Sequence, residues 1–292
     1  MTDQISLIGS TYCGNGIVLL GSNPDGKIYR STDYGATWTD QGQIVSGESK
    51  INTLRYAGNG IVLGGTSPNG HTIRSTDYGL TWTDKGQLGI STDTLKILYC
   101  GLGVMIAVTS STHIYRSTDY GATWSDLGVF FAGSSAKVGC YVANGIVLLG
   151  DMSGHVWRST DYGATWTDIG QIVGGEIYIL SMAHVNGNIV TAGTGQNAHL
   201  IRSTDAGLNW TDLGAQGGEA NFNSMESGCG GIVVATSTNG GKIWRSTDYG
   251  ATWSNLGQAV SGENSIPSLV YLGGGIFVAG TGSHGIILRS TR

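Results

Sequence analysis

One phrase, Arg-Ser-Thr-Asp-Tyr-Gly-x-Thr-Trp or a close variant, is written six times in this chain, at residues 30–38, 74–82, 116–124, 158–166, 202–210 and 245–253. A seventh copy begins at Arg289, Ser290 and Thr291. The six tryptophans that close the phrase, Trp38, Trp82, Trp124, Trp166, Trp210 and Trp253, lie 44, 42, 42, 44 and 43 residues apart. A fixed period of that size marks a repeat architecture, in which each unit is one supersecondary element and neighbouring units bury a shared core. What every unit shares is therefore scaffold. Function has to be sought in what the units do not share, or in rings that they build together.

The polar inventory narrows the function classes. Charged residues make up 12% of the 292 and the net charge is −5, with seven of nine arginines at one repeat position. No basic stripe for nucleic acid exists. No run approaches the roughly 20 apolar residues of a membrane helix, so membrane insertion is not expected. The first ten residues, MTDQISLIGS, lack a basic n-region and a long apolar core, so no signal peptide is visible. Cys13, Cys100, Cys140 and Cys229 have no CxxC spacing and read as free thiols, with neither a disulfide nor a zinc site expected.

Each unit parses into four short strands. In the second unit they are expected at 51–57, 60–65, 71–75 and 81–84, the last carrying the Trp, with Gly58-Asn59-Gly60 and Ser67-Pro68-Asn69-Gly70 as turns. The second strand is the most apolar, as in Ile146-Val147-Leu148-Leu149, which suits a strand buried on both faces. No segment shows a sustained helical period. Four antiparallel strands per unit of about 40–45 residues describe a β-propeller blade. Counting strands gives one all-β domain over residues 1–292, a seven-bladed propeller whose last blade has three strands. The blades are expected near 5–40, 50–84, 94–126, 136–168, 177–212, 221–255 and 265–292. The missing strand leaves Ile286, Ile287 and Leu288 as an apolar edge open to self-association. About four residues before the first strand are too few to cross a four-stranded blade at ~4.8 Å per strand and supply it.

The core of the phrase, Ser-x-Asp-x-Gly-x-Thr-Trp, resembles the Asp-box or BNR repeat. All six copies fit, with Ser203-Thr204-Asp205-Ala206-Gly207-Leu208-Asn209-Trp210 the loosest. The resemblance implies a turn between third and fourth strands, with Ser and Asp bonding backbone and Trp packing between blades. It gives Asp33, Asp77, Asp119, Asp161, Asp205 and Asp248 a structural role, which agrees with the local chemistry of Ser, Asp and Gly in turns. A WD40 reading fits less well, because no Trp-Asp dipeptide occurs. The family includes sialidases, xyloglucan-degrading glycosidases, sorting receptors, a photosystem assembly factor and sugar binders. It leans extracellular, and it leaves function open.

Glycoside hydrolysis needs two carboxylates across the scissile bond. Of fifteen Asp, six are in the phrase and five more lie two residues after its Trp: Asp40, Asp84, Asp126, Asp168 and Asp212. A singular pair would have to come from Asp25, Asp93, Asp151, Glu226 or the loop glutamates. The arginine triad implied by the sialidase branch cannot be assembled, since only Arg55 and Arg292 stand outside the repeat position. No serine-elbow, zincin or EF-hand motif is present. The chain is therefore expected not to be an enzyme and to need no cofactor or metal.

Three residues before the arginines stand Lys27, His71, His113, His155, His199, Lys242 and Ile286. In a propeller this strand entry shares a face with the loop that carries Glu48, Glu176, Glu219 and Glu263. Tyr29, Tyr115, Trp157 and Trp244 follow two residues on. Hydrogen-bonding side chains beside aromatic faces suit sugar recognition, so these ten charged or imidazole residues form the candidate ligand site. A polar strand entry copied by duplication explains the same pattern without any ligand. The expected function is a multivalent, lectin-like binding module. The alternatives are a protein-interaction scaffold, a recently duplicated or engineered propeller without a selected ligand, or a glycoside hydrolase.

Overall fold

Short β-rich runs punctuated by Gly turns fold here into seven sheets that follow one another in chain order. The computed structural model describes residues 6–89, 92–130 and 134–290. Asp3, Thr291 and Arg292 lie outside them. Six sheets have four antiparallel strands and the seventh has three, and no helix occurs among the described residues. The second blade is typical: Lys50–Gly58, Ile61–Ser67, His71–Ser75 and Thr83–Gln87. The first strand of each blade contacts the first strands of both neighbours, and that of blade one, Ser6–Gly14, meets that of blade seven, Ser268–Tyr271. The sheets therefore close into a seven-bladed β-propeller with first strands at the axis and fourth strands at the rim.

Burial follows this order. The second strands Met105–Thr109, Val147–Asp151 and Val233–Ser237 are buried at every position, whereas fourth strands such as Thr167–Gln171 are mostly exposed. The fourth strand starts one residue after the Trp, not before it as the sequence had suggested. In blade two Asp77 Oδ1 accepts from the Thr81 backbone N–H at 2.9 Å and Oδ2 from its hydroxyl at 2.5 Å, which keeps 81–82 in the turn.

The phrase builds that turn and also the seam between blades. In blade one the Ser31 hydroxyl accepts from the Gly35 N–H at 2.9 Å and donates to Asp33 Oδ1 at 2.8 Å. Asp33 also accepts from the N–H groups of Ala36 and Thr37 at 3.0 and 2.8 Å. Tyr34 and Gly35 both take positive φ, 59° and 78°. That bend presses the Gly onto the preceding blade, where a Cβ on Gly35 would meet Val278 Cγ2 at 3.0 Å. In the other direction, six of the seven phrase arginines, Arg245 being the exception among the described residues, donate Nε–H to the carbonyl at the phrase-tyrosine position of the next blade. Arg74 reaches Tyr120 at 3.0 Å, and Arg289 reaches Tyr34 at 2.9 Å across the ring closure.

Candidate functional site

The fourth strand opens Thr/Ser-Asp-x-Gly in five blades, and this pattern makes a bulge. In blade two, His71 pairs with Gln87 and Ile73 with Asp84, so one extra residue is accommodated opposite Thr72. Gly86 permits it at φ 87° and donates its N–H to Asp84 Oδ1 at 2.8 Å. The bulge aims the carboxylate back across the strand pair at the histidine.

Four blades therefore carry the same side-chain pair. His71 Nδ1 lies 2.9 Å from Asp84 Oδ2, His113 Nδ1 2.9 Å from Asp126 Oδ2, and His155 Nδ1 2.9 Å from Asp168 Oδ2. His199 Nδ1 lies 2.8 Å from Asp212 Oδ1. In blade one Lys27 Nζ takes the imidazole's place, 3.0 Å from Asp40 Oδ2. Burial pulls the Asp126 carboxyl upward, but hydrogen bonds from His113 and Gly128 outweigh it and hold the group below the usual carboxylate range. A carboxylate at Nδ1 fixes the ring and leaves Nε2 as the outward group, an acceptor on the neutral imidazole and a donor once it is protonated.

The loop glutamates are placed differently from the expected ring of surface acids. Glu48, Glu176 and Glu263 are 1% exposed and Glu219 8%. Each clamps the second-to-third-strand loop of its own blade. Glu48 takes the Asn69 side-chain amide at 2.6 Å, Glu176 that of Asn197 at 2.6 Å, and Glu263 the His284 ring at 2.5 Å. Two of them also reach ring members: Glu219 Oε1 lies 2.6 Å from Lys242 Nζ in blade six, which has Asn255 where blades one to five have Asp, and Glu176 Oε1 lies 4.0 Å from His199 Nε2. The acids that hydrogen-bond the four ring histidines come from the neighbouring strand, so the face carries pairs within blades and not two concentric rings. Tyr115 and Trp244, expected beside the ring, are 7% exposed and belong to the cores between blades.

The singular acids do not assemble a catalytic pair. Asp151 is buried and accepts from the N–H groups of Ser153 and His155 and from Trp157 Nε1 at 2.8, 2.9 and 3.1 Å. Asp93 accepts from the Ser67 hydroxyl at 2.7 Å, and Asp25 from that of Ser22. Glu226 stands apart, in the wall of a channel of about 390 Å³ that also contains Arg55, Lys96, Lys137 and His184. Burial pushes Glu226 up to about 7 against the pull of Arg55 and Lys96. Burial and the Arg55 charge push Lys96 down to about 8. Among the described residues no group of three or more His, Cys, Asp or Glu could hold a metal ion. Cys13, Cys100 and Cys140 are free and buried, and burial raises each thiol to about 12, which makes them inert.

The opposite face holds a feature the sequence reading passed over. Tyr12, Tyr56, Tyr99 and Tyr141 lie at or within two residues of the ends of four first strands and against the phrase tyrosines Tyr34, Tyr78, Tyr120 and Tyr162, with ring centroids 6.1–6.3 Å apart. The signal was available: these tyrosines recur four residues before the residue that opens the second strand, Gly16 and its counterparts.

No protein-family model matches the chain, and neither does any curated protein. Solved structures do match its fold. YCF48 bound to a D1 peptide superposes with a TM-score of 0.77 at 18% identity, covering 99% of this chain and 94% of that one. A catalytically inactive virginiamycin B lyase from Staphylococcus aureus with quinupristin gives 0.86 at 14% identity, covering 100% and 97%. The GH74 xyloglucanase of Xanthomonas campestris gives 0.78 at 14%, covering 99% of this chain and 52% of that one. These neighbours include binding proteins and enzymes, so they fix the seven-bladed fold and leave enzyme status open.

Proposed function

We propose that this propeller is a non-enzymatic binding module that holds a multivalent ligand, most naturally a glycan, on the repeated His–Asp pairs. The observation that carries the reading is the recurrence of one polar geometry in four consecutive blades, at half-exposed side chains. A fixed imidazole Nε2 next to a carboxylate edge can serve adjacent sugar hydroxyls, one as acceptor and one as donor partner. Each such site is weak alone. Linked sites on a linked ligand gain about 10²–10⁴ in avidity. Lys27 extends the series into blade one and Lys242 into blade six. The buried Glu48, Glu176, Glu219 and Glu263 support it by fixing the loops around it. Among the described residues no two singular carboxylates face each other, which argues against hydrolysis.

A glycan array followed by calorimetry tests the proposal. A bound glycan should lose several-fold affinity on His155→Ala and all measurable binding when His71, His113, His155 and His199 are replaced together. An array without hits, or a quadruple variant that binds as well as the parent, defeats it. A second reading, a protein-binding scaffold, is favoured by one observation, the open apolar edge of blade seven. YCF48 bound to a D1 peptide is a precedent for a peptide on this fold.

A further inference from the structure

The axial channel gathers charged residues that the repeat does not explain. It has a volume of about 390 Å³ and is lined by the first strands of all seven blades. Among the described residues one arginine stands outside the repeat position, Arg55, and it lies in this wall. So do Lys96, Lys137 and Glu226, the last being the one glutamate outside the loops that precede the first strands. The chain as a whole is acidic, with a net charge of −5, so a channel carrying three cations and one acid reverses the sign locally.

Strand register shows how these groups face one another. Arg55 pairs with Leu63 and Glu226 with Val234, and each of those residues pairs in turn with its own phrase arginine, Arg74 or Arg245. Arg55 and Glu226 therefore occupy one repeat position, in blades two and six. Leu98 is the equivalent in blade three, and Lys96 lies two residues before it, on the same side of the pleated strand. In a closed ring of seven, blade six is three seams away from blade two and three from blade three, so Glu226 lies across the axis from both cations. Lys137 is exposed, in the bulge between Ala136 and Val138, and stands outside this group.

The three charges are near each other and do not meet. Among the described residues no hydrogen bond or ion pair engages the side chain of Arg55, Lys96 or Glu226, although Arg55 and Lys96 both act on the Glu226 carboxyl through space. Burial moves Glu226 up to about 7 and Lys96 down to about 8, the behaviour of charges with no partner in contact. The fold does not require charge here. The same repeat position holds Thr11, Leu98, Cys140, Ala183 and Val270 in the other five blades, all small or apolar and all buried. Opposite charges held apart across a gap suit a ligand with matching groups at its two ends.

We infer that the axial channel is a second binding site, for a small monocarboxylate that also carries a hydroxyl or amino group. Arg55 offers a planar fork that takes a carboxylate through two parallel N–H···O bonds, and Lys96 adds a point charge on the same side. Glu226 accepts from the hydroxyl or amino group on the far side. Arg55, Lys96 and Glu226 together leave one positive charge, which a monoanion neutralises and a phosphate dianion would exceed. The volume of about 390 Å³ is near the lower end of the range for ligand pockets, about 300–1,000 Å³, so the molecule is small. This goes beyond the His–Asp ring, shares no residue with it and is tested separately.

Lactate and propionate are the probes, because they differ only in the hydroxyl. Titrated into the intact protein and followed by amide NMR, lactate should give saturable shifts clustered at 52–55, 95–97 and 223–227, with propionate severalfold weaker. Arg55→Leu installs the residue type that blade three carries at this position, Leu98, so it should fold, and it should weaken lactate about tenfold or more. Glu226→Leu should bring lactate and propionate to equal affinity, a ratio that a general loss of packing would not move. The variant with all four ring histidines replaced should bind lactate as the parent does, whatever becomes of its glycan binding. No saturation by lactate at tens of millimolar overturns the assignment. So do shifts confined to the His–Asp face, equal lactate binding by the parent and Arg55→Leu, or a lactate preference that survives Glu226→Leu. Inorganic phosphate bound more tightly than lactate overturns the monocarboxylate class.

Discussion

The seam between blades three and four and the seam between blades six and seven start from nearly the same residues and end differently. In the first, Arg116 meets the Tyr162 carbonyl at 3.0 Å and Gly163 lies on Ile106, where an added Cβ would come within 2.4 Å of Cδ1. In the second, Val234 packs against Ile266, Leu269 and Ala279, but no phrase glycine lies on it and no phrase carbonyl takes Arg245 among the described residues. The difference shows that a blade's own strands do not seal its seam. The turn of the following blade does, through one glycine and one carbonyl. Ring closure uses the same device, since Gly35 covers Val278 and Arg289 reaches Tyr34.

The largest effect expected from this comparison comes from filling a closed seam. Gly121→Ala forces a Cβ to 2.0 Å from Leu63 Cδ2 at φ +71°. Overpacking and the backbone conformation together should cost about 3 kcal/mol or more. Gly273→Ala in blade seven also has positive φ, +86°, but nothing within 4 Å, and should cost only about 1 kcal/mol. Urea unfolding of the two variants measures the gap. Equal losses would mean that the glycines are selected for backbone conformation alone and that the seam contact is incidental.

The arginines should separate next. Arg158→Ala removes a charged hydrogen bond to the Ala206 carbonyl at 3.0 Å and should cost about 1.5–3 kcal/mol. Arg245 is exposed and has no hydrogen bond to a phrase carbonyl among the described residues, so Arg245→Ala should fall within about 0.5 kcal/mol of the parent. A comparable loss in both would show that Arg245 is engaged in solution, and that its seam is already filled.

Much of this architecture was legible in the chain, because the phrase repeats with a constant period and its Ser, Asp and Gly have local roles that need no tertiary knowledge. Strand number and order, and the three-stranded last blade, follow from counting. The His–Asp pairs were half legible. Both positions stood out as repeated, yet their meeting depends on a bulge at Gly86 and its equivalents, and a one-residue register shift is not visible from spacing alone. Glu48 and Glu176 were misplaced for a related reason. They occur in the right loop, but whether a loop acid faces solvent or clamps its own backbone is decided by Asn69 and Asn197, about twenty residues downstream. The open seam was legible only as a bare edge at Ile286, Ile287 and Leu288. That the edge continues into a pocket at Val234 and Arg245 emerges only once the six filled seams are known.

The smallest effect is a matter of pH, and it distinguishes the seams without altering packing. The Thr37 hydroxyl and N–H hold Asp33 at about 2, and those of Thr252 do the same for Asp248. Burial opposes the shift at Asp119, but the Thr123 hydroxyl and N–H prevail and hold it at about 2 as well. A carboxyl whose pKa is depressed in the folded state favours folding above its ordinary value of 3.8, and that contribution is lost as pH falls through about 2. Hydrogen exchange should therefore show the turns at 33–37, 119–123 and 248–252 losing protection between about pH 4 and pH 2. The edge strand Ile287–Arg289 carries no carboxylate of its own, and apart from Arg289, which donates to the Tyr34 carbonyl inside the first of these turns at 2.9 Å, it should change little over that interval. Asp119→Asn supplies the control: less stable than the parent near neutral pH, it should converge with it as pH approaches 2. A gap that stays constant across the titration would assign the loss to geometry at residue 119 and not to its charge.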